Sequence, residues 1–289
     1  MKNALKGLYA AIPAKRHLFS LIRRFYRPPQ SLYQHLHFDG AFTVDVGGTA
    51  FRMNHHGLPI ENEMFWNGIT GGWEKASMSL WLELSRRATV ILDVGANTGM
   101  YTLTAKAVRP DAVVYAFEPV ERVFSKLEAN CALNRYEVTC VNAAVSNSDG
   151  TALLFDTPSP HVYVATLQRG TSYEGELTVQ RMVPTVQLDT FVAQHGISDI
   201  SLLKVDTEGH EVEVLEGFRG CLERMHPTML IEVLSDDMGR RIEALLPDGY
   251  LYFDIDEERG PRRVSHIGRS ATYNHLVCTP YIAELLQLS

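Results

Sequence analysis

The chain reads VILDVGANTG at residues 90–99, an apolar run that ends in an aspartate and a glycine-containing turn. A short, β-branched run of this kind is typical of a strand that is buried on both faces of a parallel sheet. Gly95 and Gly99 allow the backbone to turn tightly and to approach a ligand closely. Open α/β sheets bind ligands at the carboxyl ends of their strands, so this stretch predicts both the fold and the place of the site.

Apolar runs of the same kind recur along the chain and alternate with helical patterns. The further strand candidates are residues 112–117, 138–145, 200–206, 228–234, 250–255 and 275–280, and the helical patterns lie near 101–108, 122–133, 211–225 and 237–246. The last two strand candidates have no long helix between them, so we expect them to form an antiparallel pair. The alternation as a whole predicts a doubly wound α/β sheet with right-handed crossovers.

Two segments do not follow this alternation. Residues 1–74 contain a basic helical pattern and a hairpin signal at 42–54, and we interpret them as an N-terminal extension of a domain formed by 75–289. Residues 150–189 break the pattern with short strands, prolines and glycines. We interpret this stretch as an insertion on the rim of the sheet.

Charge is distributed unevenly along the chain. The net charge is −7 at pH 7, with 27 basic and 34 acidic residues, yet residues 1–38 contain seven lysines and arginines and no acid. The remainder therefore holds 20 basic and 34 acidic residues, a net charge of −14. An acidic body of this kind repels polyanions, which argues against nucleic acid as the main ligand.

The basic N-terminal segment has an amphipathic pattern. Leu18, Leu21, Ile22 and Phe25 recur at helical spacing, and basic residues occur among them throughout 15–27. One interpretation is a helix that lies on an anionic membrane surface. The other, which we favour at this stage, is a helix docked on its own acidic domain.

Hydropathy and cysteine usage favour a cytoplasmic protein. No stretch approaches the roughly 18 consecutive apolar residues that a membrane-spanning helix requires. Wide and irregular spacing separates Cys131, Cys140, Cys221 and Cys278. Such spacing is typical of reduced thiols rather than of a disulfide framework or a zinc site.

Two acidic residues at strand ends indicate a nucleoside site. The dinucleotide fingerprint is not met, because Asn97 and Met100 occupy positions where G-x-G-x-x-G needs glycine. Asp93 beside a glycine turn suits a ligand that has an amine and no phosphate. Glu118 follows the next strand, about twenty residues later, where an acidic residue can accept hydrogen bonds from both ribose hydroxyls.

A second group of chemically active residues lies at the end of a later strand. Three carboxylates and one histidine occur in the six residues 206–211. They are also consistent with the capped first turn of a helix, but capping does not explain Lys204 within the strand. Glu232 lies inside the following apolar strand, where a charged residue costs several kcal/mol unless it is paired or functional. We therefore expect Glu232 to belong to the site.

The motifs DVGANTG, AFEP, VNAAVS, VPTVQLDTF, LLKVDTEGHEVEVLEGF and LIEVL, in this order over residues 73–234, resemble the FkbM family of S-adenosylmethionine-dependent methyltransferases. The resemblance implies a class I methyltransferase fold, a Rossmann-like, doubly wound sheet of seven strands with a terminal antiparallel hairpin. It also implies methyl transfer from S-adenosylmethionine, usually to an oxygen of a sugar, a glycan or a secondary metabolite.

The resemblance assigns roles to individual residues. The cofactor-binding residues that it implies are Asp93, Gly95, Asn97, Gly99, Tyr101, Glu118, Asn142 and Ala143. Trp73 and Glu74, before the first helix of the domain, are expected to close over the donor or acceptor. Glu232 is predicted to bind the substrate from its position in the apolar strand, independently of the resemblance. For Trp73 and Glu74 the alternative is a packed aromatic side chain beside a surface acid.

Catalytic roles are predicted for the residues at the later strand end. Methyl transfer to a hydroxyl benefits from a general base, and we predict His210 for this role, with Asp206 and Glu208 as alternatives. Hard oxygen ligands at Asp206, Glu208 and Glu232 would also suit Mg²⁺, which the sequence leaves open.

Two other functions are weighed against methyl transfer. A nicotinamide-dependent oxidoreductase would share the fold, but the chain lacks its phosphate-binding glycines. A non-catalytic module that binds S-adenosylmethionine would keep Asp93 and Glu118 without needing the acidic residues around 206–211. Fold analogy alone does not decide among these functions.

Overall fold

The structure is a computed structural model, which describes residues 14–57, 59–72, 74–157, 165–167 and 179–288. The strands are β1 (Gly40–Asp45), β2 (Ala50–His55), β3 (Val90–Val94), β4 (Val113–Phe117), β5 (Thr139–Val141), β6 (Ala144–Val145), β7 (Gly150–Asp156), β8 (Ala165–Thr166), β9 (Val179–Val186), β10 (Leu202–Val205), β11 (Thr228–Glu232), β12 (Leu251–Asp256), β13 (Gly260–Val264) and β14 (Asn274–Cys278). The helices are α1 (Lys15–Ile22), α2 (Gln30–Tyr33), α3 (Pro59–Asn67), α4 (Lys75–Ser85), α5 (Met100–Val108), α6 (Glu121–Asn134), α7 (Leu188–Gln194), α8 (Glu211–Glu216), α9 (Arg219–Met225), α10 (Asp236–Glu243) and α11 (Pro280–Leu285).

The main sheet has the strand order β13-β12-β14-β11-β10-β3-β4-β5. Strands β11, β10, β3, β4 and β5 pair in parallel, and β14 inserts antiparallel between β11 and β12. The predicted α/β alternation and the predicted antiparallel pairing of the last two apolar strands are confirmed. The carboxyl ends of β3, β4 and β10 therefore lie together at one edge of the sheet.

The strand count differs from the prediction of seven. This sheet has eight strands because β13 pairs with β12 through a hairpin. No apolar run reveals β13, since it is an edge strand with exposed Arg262 and Arg263 and one proline. Edge strands of this kind often carry charges and proline, which protect them from pairing with other chains.

The predicted single strand at 138–145 is divided between two sheets. Its first half, β5, belongs to the main sheet, whereas β6 pairs with β9 in a second, four-stranded sheet of order β6-β9-β7-β8. The segment interpreted as an insertion at 150–189 supplies the antiparallel pair β7 and β9, and the short β8. This second sheet packs beside the carboxyl ends of the main sheet.

The N-terminal segment shares its core with the main sheet. Strands β1 and β2 form the expected hairpin, and Phe19 of α1 lies 5.6 Å from Trp66 of α3, measured between ring centroids. The same apolar cluster continues through Trp81 to Ile91 of β3. Residues on both sides of the predicted boundary at residue 74 therefore belong to one hydrophobic core. Within the described residues, none of the helices combines the length and the apolar composition that a membrane span needs.

Candidate active site

The turn after β3 packs directly on the turn after β10. A Cβ atom added to Gly95 would lie 1.7 Å from the carbonyl oxygen of Asp206, so only glycine fits at this position. Gly95 and Asn97 both have positive φ angles, of 82° and 52°. The N–H groups of Gly95 and Ala96 donate to the Phe117 carbonyl at 3.0 and 2.9 Å, which joins this turn to the end of β4.

Asp93 lies beneath this turn rather than on the cavity surface. It is buried, and its Oδ2 accepts a hydrogen bond of 2.6 Å from the Thr102 hydroxyl of α5. Burial raises the pKa of Asp93 to about 6, against the opposing effect of the Thr102 hydrogen bond. In this structure Asp93 holds the start of α5 against β3.

Glu118 joins the loops that follow β3 and β4. Its Oε2 accepts from the Asn97 N–H at 3.1 Å, and its Oε1 accepts from the Val120 N–H at 2.8 Å. Burial raises the pKa of Glu118 to about 7. Each carboxylate oxygen can accept a further hydrogen bond, so Glu118 can also receive a diol from the cavity.

A cavity of about 160 Å³ lies where these loops meet the second sheet. From the loops after β3, β4 and β5 it is lined by the predicted residues Gly95, Asn97, Tyr101, Glu118 and Ala143. From the ends of β10 and β11 it is lined by the predicted residues Asp206, Glu208, His210 and Glu232. The structure thus brings the predicted cofactor residues and the predicted catalytic residues to one cavity.

Other predicted residues do not line this cavity. Asp93 and Gly99 lie under the turn, and Glu74 lies behind Tyr101. Asn142, predicted for the adenine side, donates its amide to the carbonyls of Glu118 and Pro119 at 2.9 and 3.3 Å. Its side chain therefore supports the Glu118 loop. The prediction for Trp73 concerns a position outside the described residues.

Sequence reasoning missed the apolar wall of the cavity, which we define as Ile60, Leu154, Ala165 and Leu167. Ile60 comes from α3, Leu154 and Ala165 come from the second sheet, and Leu167 directly follows β8. In the sequence these residues resemble ordinary core positions, so no local signal marks them. Ile60 lies within residues 55–74 and the other three lie within 150–189, and neither stretch carries a recognisable motif.

An acidic cluster, defined as Glu74, Asp206, Glu208 and Glu232, surrounds the buried Lys204. The Lys204 ammonium donates to Asp206 Oδ2 at 3.1 Å and to Asn274 Oδ1 at 3.4 Å. Burial lowers the pKa of Lys204, but the nearby carboxylates outweigh this effect and raise it above the ordinary value. One cation faces four carboxyl groups, so the cluster favours positive charge in the cavity.

Glu74, Glu208 and Glu232 of the acidic cluster are all protonated more readily than ordinary glutamates. Burial, reinforced by Asp206, raises the pKa of Glu208 to about 7 and that of Glu232 to about 10. At neutral pH Glu232 is therefore a neutral carboxylic acid, which can donate a hydrogen bond as well as accept one. Its buried Oε2 atom has no hydrogen-bond partner within the described residues. A bound ligand can supply that partner.

His210 is held by two neighbours at the cavity edge. Its Nε2 lies 3.0 Å from the Ser146 hydroxyl, and its Nδ1 lies 3.4 Å from Glu213 Oε2. Burial lowers the pKa of His210, while Glu213 and Glu216 oppose this shift. The neutral imidazole that results can accept a proton, with Glu213 in place to orient the ring.

The donor set does not resemble a metal centre. Within the described residues, His, Cys, Asp and Glu side chains form no group of three or more that could hold a metal ion. Within the acidic cluster, the Lys204 ammonium already forms an ion pair with the Asp206 carboxylate. The Mg²⁺ site left open by the sequence is not supported by this arrangement.

The fold and the cavity define a Rossmann-like protein of the methyltransferase class. The strand ends present the Glu118 carboxyl group and the acidic cluster to the cavity, and they lack the glycines of a pyrophosphate site. These features fit S-adenosylmethionine, which combines a ribose with a sulfonium cation and carries no phosphate.

The chain belongs to the FkbM methyltransferase family, because the sequence model of the methyltransferase FkbM domain matches residues 93–256, more than half of the chain. It is a methyltransferase that depends on S-adenosylmethionine.

Several characterised proteins are similar to this chain. Hexuronic acid methyltransferase AglP of Haloferax volcanii is 29% identical over 63% of this chain and 71% of its own length. The 31-O-demethyl-FK506 methyltransferase FkbM of Streptomyces tacrolimicus is 30% identical over 46% of this chain and 60% of its own length. A crystal structure of a methyltransferase FkbM from Methylobacillus flagellatus KT is 15% identical, with a TM-score of 0.41, and the match covers 66% of this chain and 43% of that one.

Proposed function

We propose that this chain transfers a methyl group from S-adenosylmethionine to a hydroxyl oxygen of a sugar, a glycan or a secondary metabolite. The names of two relatives support the acceptor class, since one acts on a hexuronic acid and the other on a demethylated hydroxyl of FK506. The structural observation that carries the proposal is the buried Glu232 Oε2 atom, which has no hydrogen-bond partner within the described residues and lies in the cavity that also contains Glu118.

Glu118 and the acidic cluster are proposed to hold the cofactor. Glu118 would accept the ribose hydroxyls with the lone pairs that Asn97 and Val120 leave unused. Ala143 and Leu154 offer apolar surface for the adenine ring. The excess of carboxyl groups around Lys204 favours the sulfonium end of the ligand, because buried opposite charges interact strongly.

The bound cofactor supplies an activated methyl group, so this chain has to orient the acceptor, exclude water and remove a proton. Positioning of this kind is worth about 7–11 kcal/mol where reacting atoms are well aligned. His210 would accept the proton that the acceptor hydroxyl loses when the hydroxyl oxygen takes the methyl group that the bound cofactor would supply. Because Ser146 lies at Nε2, the acceptor must compete with that hydroxyl for the same nitrogen.

Glu232 and the apolar wall are proposed to select the acceptor. A neutral Glu232 carboxyl can donate a hydrogen bond to one oxygen of the methyl-acceptor molecule and accept a hydrogen bond from a neighbouring hydroxyl. Polyhydroxylated molecules offer both kinds of group. Ile60 and Leu167 line the same cavity and suit the apolar faces of such molecules. A glycan or a macrocyclic metabolite offers both kinds of surface.

Radiolabelled S-adenosylmethionine tests the proposal when it is incubated with the full chain and a panel of sugars, oligosaccharides and hydroxylated metabolites. We expect label to appear in an alkali-stable ether of at least one acceptor, and a Glu118→Ala control to reduce the transfer at subsaturating cofactor concentration. Binding of S-adenosylhomocysteine without transfer to any acceptor would favour the non-catalytic module. Binding of reduced nicotinamide dinucleotide instead would favour an oxidoreductase, and either result overturns the proposal.

A further inference from the structure

The N-terminal helix is anchored by one face and leaves an apolar face in solvent. Phe19 packs against Phe38 and Trp66, and the Arg23 guanidinium donates to the Phe65 carbonyl at 2.8 Å. Backbone hydrogen bonds continue the helical turn from α1 as far as Tyr26. The anchoring contacts therefore fix the orientation of the opposite face.

The opposite face presents what we name the exposed stripe, which consists of Leu18, Leu21, Phe25 and Tyr26. Leu18, Leu21 and Phe25 are three and four residues apart and share one side of the helical turn. Leu21 is 55% exposed and Phe25 is 85% exposed. A contiguous row of large exposed apolar side chains is unusual on a protein surface and marks an interaction site.

Basic residues surround the exposed stripe. Arg24 and Arg27 are exposed beside it, Arg16 is exposed one turn earlier, and residues 14–38 contain no acid. The rest of the chain is strongly acidic. An anionic surface is therefore attracted to this face of the molecule and repelled by the others.

We propose that the exposed stripe and its arginines dock the protein on an anionic membrane surface. Apolar side chains enter the headgroup boundary while arginines contact lipid phosphates, the arrangement used by interfacial amphipathic helices. Tyr26 suits this boundary, where the amphipathic rings of Tyr and Trp are enriched, and Phe25 suits the apolar face of an interfacial helix. A second copy of the chain is a poorer occupant, because a face-to-face contact would bring two sets of arginines together.

The docking face lies close to the cavity wall. Helix α3 contacts α1 through Phe65 and Trp66 and lines the cavity with Ile60. Six residues of helix separate Ile60 from Trp66, which corresponds to about 9 Å along the axis. A protein docked in this way would hold α3 one helix layer, about 10 Å, from the membrane surface, with α1 between them.

Vesicle co-sedimentation of the full chain tests the proposal. We expect at least tenfold stronger partitioning to phosphatidylcholine–phosphatidylglycerol vesicles than to pure phosphatidylcholine vesicles, with a loss at high salt. The double variant Leu21→Ser/Phe25→Ser and the double variant Arg24→Glu/Arg27→Glu should each reduce this partitioning at least tenfold. Matched controls are Met182→Ser and Arg263→Glu, which alter exposed residues elsewhere and should leave partitioning unchanged.

Each variant is first checked for its thermal midpoint and its binding of S-adenosylhomocysteine, so that unfolding is not mistaken for lost docking. Equal partitioning of the wild type to both vesicle types would overturn the proposal. Unchanged partitioning of both double variants would also overturn it. Sedimentation velocity of the wild type and of the Leu21→Ser/Phe25→Ser variant tests the other occupant. Self-association of the wild type that this variant abolishes would overturn the proposal, because the exposed stripe would then bind a second copy of the chain and not a membrane.

Discussion

The hydroxyl of Tyr101 donates a hydrogen bond of 2.7 Å to Glu74 Oε2, and the Asn274 amide donates to the other carboxylate oxygen at the same distance. Glu74 precedes α4 and has a φ angle of 53°, a strained conformation for a residue other than glycine. Burial raises the pKa of Glu74 to about 7, against the effect of Lys204. One side chain thus connects the N-terminal segment, the first turn of α5 and the inserted strand β14.

Removal of this connection should destabilise the protein. Glu74→Ala leaves the Tyr101 hydroxyl and the Lys204 ammonium with fewer partners in a buried place, and we expect a loss of about 3 kcal/mol in the free energy of unfolding. Tyr101→Phe removes one hydrogen bond and should cost about 1 kcal/mol. Urea unfolding of both variants and of the double variant measures their coupling. Strictly additive losses would contradict a direct interaction.

Glu118 should determine cofactor affinity. A charged hydrogen bond contributes about 1.5–3 kcal/mol, so we expect Glu118→Ala to weaken S-adenosylhomocysteine binding by roughly 10- to 100-fold in calorimetry. Glu121→Gln, an exposed carboxylate in the following helix, is the matched control and should bind like the wild type. An unchanged dissociation constant for Glu118→Ala would remove this residue from the ribose site.

His210 should determine turnover without determining cofactor affinity. Loss of a general base typically lowers kcat by about 10²- to 10⁴-fold, and we expect this range for His210→Ala with unchanged S-adenosylhomocysteine binding. Because burial lowers the pKa of His210, kcat of the wild type should stay high until the pH falls below the ordinary histidine value of about 6.5.

Ser146 provides the matched control for His210. Ser146→Ala removes the neighbour of Nε2, so it should leave kcat unchanged or increase it. If His210→Ala keeps full turnover, the base is Asp206 or Glu208 instead. If Ser146→Ala reduces kcat as strongly as His210→Ala, the serine hydroxyl belongs to the proton path.

Glu232 should make the protein less stable as the pH rises. Its pKa is about 10 in the folded protein, whereas an unfolded glutamate titrates near 4.3, so between these values only the folded state holds the proton. Stability then falls with rising pH, by at most about 1.4 kcal/mol per pH unit from this group. Glu232→Gln keeps a neutral side chain and should flatten the decline in urea titrations at several pH values. The exposed Glu284→Gln is the control, and identical pH profiles for both variants would contradict a raised pKa.

Much of the site could be predicted because its signals are local. The turn after β3 and the acid after β4 each follow an apolar strand, and parallel strands bring their carboxyl ends to one edge. This rule predicts that Gly95, Glu118 and Asp206 lie together, and all three line the cavity. The same reasoning missed β13, whose polar edge sequence has no apolar period, and the division of 138–145 between two sheets.

Contacts between distant segments could not be predicted in this way. Glu74 meets Asn274 across 200 residues, and Ser146 meets His210 across 64. The positions of Asp93 and Asn142 also depend on such packing, since both support loops and neither lines the cavity. No spacing in the chain encodes these pairs.

The sequence by itself determined the α/β alternation, the strand ends that carry the site and the membership of a methyltransferase family, because hydrophobic periodicity and short motifs are properties of neighbouring residues. The tertiary structure alone decided which side chains face the cavity, which neighbours shift their pKa values and which face of the N-terminal helix stays in solvent. Those properties depend on burial and distance between segments far apart in the chain, and both arise only when the chain folds.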